Sequence, residues 1–211
     1  PRLAPRAMAA WRHFLNATMS TRPPGAYPGA RKFASLDHIS GGRSGWNLVT
    51  SAQLAEALNF NRTTPFPHHE RYMRAHEFAE VVLGLWDSWD DDAFVRDKDS
   101  GLFFEPDKMH YLNHKGKDYS VRGPLNVPRS PQGHPVIIQA GQSGRGKDFG
   151  ARGGEVIFVV YPNIEVGKKD YADFKDTVRR LGREPEHVKV AHLVNTVSAA
   201  TKTEAEDMFA E

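Results

Sequence analysis

Cysteine is absent from the 211 residues, which removes disulfides, thiolate metal sites and cysteine nucleophiles together and leaves the compartment open. No stretch approaches the ~18 consecutive apolar residues that would suggest a membrane span. The opening P-R-L-A-P-R-A-M-A-A-W lacks the apolar core of a signal peptide. A block of one charge is also missing: 28 Lys and Arg stand against 26 Asp and Glu, so nucleic acid is not expected as the main partner. Neither a repeat of solenoid length nor a low-complexity tract occurs. What is left is a soluble, cytoplasmic chain long enough to bury a substantial core, read as one domain or a piece of a larger one.

The most informative stretch is P-V-I-I-Q-A-G-Q-S-G-R-G-K-D at 135 to 148. Val136, Ile137 and Ile138 are β-branched and read as a buried strand that Gly141 ends. A glycine loop follows. Gly141, Gly144 and Gly146 free the backbone to curl until successive N–H groups point at one spot. Ser143 adds a hydroxyl at the start of the next helix, making an anion cradle suited to a phosphate. An ordinary strand-to-helix turn also needs glycine, so the loop alone does not say what the phosphate belongs to. Gly141 and Gly146-Lys147 nearly spell the nucleotide-triphosphatase loop, but Asp148 stands where that loop needs a hydroxyl for magnesium. The next strand also ends without an acid to orient the metal.

Along the rest of the chain, periodicity predicts a helix tail over 4–11, a strand from His13 to Thr18, and a Pro- and Gly-rich loop from Met19 to Gly29. A helix from Ala30 to Ser40 should bury Phe33, Leu36 and Ile39 and end at Gly41-Gly42. Trp46 to Thr50 reads as a strand with Asn47 inside it, Ala52 to Leu58 as one or two helical turns, and 59–67 as a polar loop. His69 to Trp86 reads as a long helix buried along one broad side. From Asp87 to Pro131 the patterning is lost, and an insertion over one end of the fold, with a small hairpin and a lid-like role, is expected. Glu155 to Tyr161 is a buried strand. Asn163 should cap a helix to Leu181 that buries Tyr171, Phe174, Val178 and Leu181. His187 to Val197 is a further strand, and Thr203 with Glu206 a capping box for the last helix. Alternating strands and helices imply an α/β fold with a parallel sheet, either doubly wound or an eight-stranded barrel, with ligands where the strands finish. Five strands are visible.

Four runs together resemble one family. They are S-L-D-H-I-S-G-G-R-S-G-W-N-L-V-T-S at 35 to 51, H-H-E-R-Y at 68 to 72, L-W-D-S-W at 85 to 89, and V-R-G-P-L-N-V-P-R-S-P-Q-G-H-P-V-I-I-Q-A-G-Q-S at 121 to 143. In order and spacing they resemble the nitrilotriacetate monooxygenase-like branch of the bacterial luciferase-like flavin monooxygenases, from about Pro5 to the end of the chain. The resemblance implies a partial TIM (β/α)8 barrel, with about five of eight strands present. It runs from near the family's third strand to its seventh, in a single domain over 1–211 with the insertion after the 69–86 helix. It departs from the family pattern at His69, where an acid is usual, and an acidic flavin contact near the second strand falls outside it.

Such proteins take reduced FMN from a separate NAD(P)H:flavin reductase and, with O2, oxygenate a small organic molecule through a flavin C4a-peroxide. They commonly form homo-oligomers. Carried over by motif, Gly141, Ser143 and Gly144 would hold the FMN phosphate, with Tyr72 adding its phenol. His68 would touch the flavin, and Thr18 and Asn47 would present polar groups to the isoalloxazine edge. Each has a plainer reading: Ser143 as a helix cap, Tyr72 as an amphipathic residue at a helix margin, His68 as a surface histidine, Thr18 and Asn47 as satisfied strand-end polar groups. Arg71 would face negative charge on reduced flavin or sit in a surface ion pair. No protein nucleophile is implied, and His68, His69 and His76 lack metal-ligand spacing. A non-catalytic flavin-binding fragment and a nucleotide hydrolase are the competing readings.

Overall fold

The structure, a computed structural model, describes residues 14–21, 25–194 and 196–210. The predicted helix tail over 4–11 and the first residue of the predicted strand at His13 lie outside these. Five strands form one parallel sheet: β1 (Leu15–Ser20), β2 (Ser44–Val49), β5 (Val136–Gln139), β6 (Val156–Val159) and β7 (Lys189–His192), in the order β1-β2-β5-β6-β7. That order only counts upward, as in a barrel wall, whereas a doubly wound sheet reverses direction at a switch point. Helices α1 (Ala26–Ser40), α2 (Leu54–Leu58), α3 (His68–Trp86), α4 (Gly144–Gly153) and α5 (Ile164–Arg180) link the strands, and α6 (Lys202–Ala210) follows the last. Every sheet strand therefore ends at one edge, where the connecting turns gather.

The core lies between the sheet and its helices. Along β2 successive side chains alternate faces. Trp46 and Leu48 are buried at 0% and 2% exposure, against Phe33 of α1 and Phe78 and Trp86 of α3. Asn47 between them points to the other face. The Trp46 indole Nε1 donates to the carbonyl of Met19 at 3.0 Å, so the largest core side chain leaves no polar atom unpaired. The buried positions of α3 keep the predicted spacing, with Tyr72, Ala75, Phe78, Val81, Val82, Leu85 and Trp86 all in the core.

Helix α1 departs from its prediction. It starts at Ala26, because Pro28 falls in the first turn, where a missing N–H costs nothing. Phe33 and Leu36 are buried as expected, together with Ala30, Ala34, Asp37 and Ser40, while Ile39 is 44% exposed. Asp37 can point inward because its carboxylate accepts from the Ser44 amide and hydroxyl and from the Gln132 side chain. In α5, Phe174 and Val178 are buried as expected, but Tyr171 is 43% exposed. Lys175 takes the inward place, its Nζ donating to the carbonyls of Pro185 and Val188. Strands β6 and β7 are shorter than the predicted 155–161 and 187–197. The last capping box sits two residues early: Thr201 Oγ1 accepts from the Glu204 amide and Glu204 from the Thr201 amide.

The insertion carries the expected hairpin, β3 (His114–Lys115) with β4 (Ser120–Val121). Its turn is tied to α3. The Glu77 carboxylate accepts from the amides of Asp118 and Tyr119 and faces His114 Nε2 at 3.2 Å, and Arg74 pairs with Asp118. Burial alone would raise the Glu77 carboxyl, but the Asp118 amide, His114 and the Tyr119 amide outweigh it and hold it below its ordinary value. The Tyr119 hydroxyl reaches the carbonyl of Thr21, just past the end of β1, at 3.3 Å.

Candidate functional site

The turn from β5 into α4 opens at the carboxyl edge of the sheet. Ser143 is the N-cap of α4, its Oγ accepting from the Gly146 amide at 3.1 Å. That leaves the hydroxyl proton free to donate outward. The first-turn amides of Gly144 and Arg145 find no acceptor among the described residues, as is usual at a helix start. No acid lies in this turn, and a Cβ on Gly144 would meet nothing within 4 Å. The result is a group of backbone and hydroxyl donors at a helix start with nothing crowding its Gly144.

The glycines serve a different end from the one the sequence suggests. Among the described residues, none of Gly141, Gly144 and Gly146 has the left-handed backbone that other residues avoid. Gly141 and Gly146 are needed for room: a Cβ on either would lie 2.8 Å from the other's Cα. The loop closes directly onto the first turn of α4, and only hydrogen fits between.

Tyr72 is brought to this turn, with His68 beside it on α3. A Cβ on Gly141 would lie 3.0 Å from the Tyr72 hydroxyl, and the His68 ring lies 5.0 Å from the Tyr72 ring. His68 is the first residue of α3 rather than a loop residue before it. Two supports were not legible beforehand. Gln139, 4% exposed at the end of β5, accepts from the Gly141 amide through Oε1 at 2.8 Å and so fixes the turn. Phe149 of α4 lies edge-on to Tyr72 at 6.0 Å. A polar residue closing an apolar strand run was the only available signal for Gln139.

Thr18 and Asn47 meet in register on β1 and β2, and Asn47 is in turn level with Ile138 of β5. The Asn47 Nδ2 donates to Thr18 Oγ1 at 3.0 Å. Asn47 Oδ1 and Ser20 Oγ are buried and have no partner among the described residues, which in a native fold calls for an explanation. Ser20 belongs to the same face by the period-two alternation of N-A-T-M-S at 16 to 20, a signal the sequence contained. Arg71 is not in the surface ion pair of its plainer reading, and its Nε is buried without a partner among the described residues. It makes no ion pair among the described residues, and its Nη1 donates to the carbonyl of Ser51, a residue with φ of 44°, at 3.0 Å. Asp148 pairs with Arg152 one turn further along α4. Among the described residues no group of three or more His, Asp or Glu could hold a metal, and no helix is long and apolar enough to cross a membrane.

Comparison with known proteins gives this geometry a context. The pattern of the luciferase-like monooxygenases matches residues 18–211. The chain is 49% identical over 197 residues to the N-acetyl-S-(2-succino)cysteine monooxygenase of Bacillus subtilis (strain 168), covering 93% of this chain and 45% of that protein. It is 48% identical over 207 residues to nitrilotriacetate monooxygenase component A of Aminobacter aminovorans, covering 98% and 46%. A riboflavin lyase solved with a modified FMN and riboflavin superposes with a TM-score of 0.90 at 35% identity, covering 100% of this chain and 48% of that one. The chain thus spans about half the length of the relatives it matches, and its five-stranded wall is part of a barrel. The match extends over most of the chain and includes both the glycine turn and the Asn47 strand, so the protein belongs to the luciferase-like monooxygenase family.

Proposed function

We propose that this chain carries the flavin seat of a two-component monooxygenase that uses reduced FMN and O2 to oxygenate a small organic molecule. The observation that carries the reading is the open donor turn at Gly141, Ser143 and Gly144 with the Tyr72 hydroxyl beside it. It lies on the same sheet edge as the strands bearing Thr18 and Asn47. The residues fit FMN: first-turn amides without an acceptor among the described residues, beside a Gly144 whose Cβ would meet nothing, suit a phosphate, and the unpartnered Asn47 Oδ1 and Ser20 Oγ suit a polar ring edge.

FMN, when bound, supplies the oxygen chemistry. The chain's part is to hold and orient. Ser143 and the α4 amides hold the phosphate, assisted by the partial positive charge of the helix start. Tyr72 adds a donor held in place by Phe149. Thr18 fixes the amide of Asn47 so that its Oδ1 faces the ring, and His68 adds an imidazole at the start of α3. The hairpin tip, bound through Tyr119 to Thr21, screens the β1 end of the mouth from water. The relatives named for N-acetyl-S-(2-succino)cysteine and for nitrilotriacetate support a small organic substrate. The "component A" in one of those names supports a separate NAD(P)H:flavin reductase as the flavin supplier. We infer a cytoplasmic setting beside that reductase and a homo-oligomer in the full-length protein.

Titrating the chain with reduced FMN without oxygen, then admitting oxygen and substrate, tests the reading. Saturable binding followed by oxygen-dependent product supports it. Binding without turnover supports a seat that does not catalyse alone, and no binding contradicts the flavin assignment.

A further inference from the structure

One further titratable side chain borders this site. His76 lies one turn beyond Tyr72 on α3 and lines, with Tyr72, Gly144, Arg145 and Asp148, a cavity of about 260 Å³ against the first turns of α4. Its ring stands edge-on to Phe149 at 4.7 Å and 84°, and Phe149 in turn stands edge-on to Tyr72. His76 therefore touches the site twice, through the shared cavity and through the aromatic ring that steadies the Tyr72 phenol.

We propose that His76 is a proton-linked positioning residue: it stays neutral against Phe149 while the cradle is empty and takes up a proton when a phosphate monoester docks. The identity of that phosphate rests on the flavin reading above. The charged or titratable groups around the ring are Tyr72 and Glu80 on α3 and Arg145, Asp148 and Arg152 on α4, while β5 offers only the neutral Gln139. Asp148 is engaged by Arg152 at 2.8 Å, so the α4 side supplies little net negative charge. Burial first and Arg152 second push the imidazole below its ordinary value, against the pull of Asp148. A phosphate bearing about −1.5 to −2 charge at the α4 start reverses the local sign and favours imidazolium. By linkage, phosphate affinity then rises as pH falls through the neutral range.

Calorimetric titration of the 211-residue chain with FMN, with riboflavin and with inorganic phosphate, in two buffers of different ionisation enthalpy, reads the proton count directly. FMN and phosphate should take up a fraction of a proton and riboflavin none. From pH 8 to pH 6.5 the FMN affinity should rise about three- to tenfold relative to His76→Gln, which shares the phosphate group's own titration. The imidazole nitrogen signals of the wild-type chain, assigned with His76→Gln or, should that variant not fold, His76→Asn, should move to the protonated position on saturation with FMN. Uptake that persists in His76→Gln, uptake that riboflavin matches, or an imidazole that stays neutral when FMN is bound overturns the inference and leaves the flavin reading standing. Failure of FMN, riboflavin and phosphate all to bind overturns both.

Discussion

Two strand-to-helix junctions at the same sheet edge are built alike and differ in the groups that surround the helix start. At the β5–α4 junction Ser143 caps the helix by accepting from Gly146, and at the β6–α5 junction Asn163 caps it by accepting from Val166. The cap chemistry is equivalent. At α4, however, the first turn has no acid, and Gly144 faces open space with the Tyr72 phenol close by. At α5, Glu165 lies in the first turn, Ile164 stands where α4 has Gly144, and the cavity of about 270 Å³ at the helix start is bordered by the Tyr161 and His192 rings. A capped helix start is thus common structure, and what sets α4 apart is a first turn free of acid, a glycine at its first position and the Tyr72 phenol beside it.

That contrast can be broken most sharply at Gly141. In Gly141→Ala the new methyl would meet the Gly146 Cα at 2.8 Å, so the loop must lift from α4. Stability should fall by about 1–3 kcal/mol, and FMN affinity by about a hundredfold or more, the equivalent of roughly 2.8 kcal/mol. Urea unfolding and flavin fluorescence quenching read the two effects.

Replacing the caps separates structure from function. Ser143→Ala and Asn163→Ala should each lose about 1 kcal/mol of stability, but only Ser143→Ala should weaken FMN binding, by about tenfold, the equivalent of roughly 1.4 kcal/mol. Equal losses of affinity would show that the two helix starts do not differ in kind. A smaller effect divides the phenols. Tyr72→Phe should cost about fivefold in FMN affinity, as expected for one hydrogen bond of about 1 kcal/mol. Tyr161→Phe should leave affinity unchanged.

The smallest effect is a titration. Burial first and Asp170 second push the Tyr161 phenol up to about 12. The neutral phenol is therefore favoured in the folded chain, and its contribution is fully present below the ordinary value of 10.0 and is lost as pH rises toward about 12. Ultraviolet titration should find a late phenolate near pH 12 that Tyr161→Phe removes, with a shallower loss of stability above pH 10 in that variant.

The sequence made the framework legible because periodicity records burial. The stripe of α3 from Tyr72 to Trp86 and the apolar run of β5 could be read directly. It misled where a buried polar group is satisfied by partners outside its own helix. Asp37 and Lys175 occupy inward positions because their partners are distant in sequence, displacing Ile39 and Tyr171 to the surface. At the site, motif and resemblance picked out Ser143, Tyr72, Thr18 and Asn47, and the structure puts Tyr72 beside the glycine turn and Thr18 beside Asn47. What they could not supply was distance. That Gly141 and Gly146 need room rather than backbone freedom, that Gln139 fixes the turn and that His76 shares its cavity are all tertiary facts.

The central claim is that the turn at Ser143 and its glycine neighbours grips a flavin phosphate, and phosphorus NMR of FMN titrated with the chain tests it most directly. The FMN phosphorus resonance should shift and broaden with the wild-type chain and with Asn163→Ala, and far less with Ser143→Ala. A phosphorus signal that stays at its free position while the flavin ring binds would place the phosphate in solvent and contradict the account.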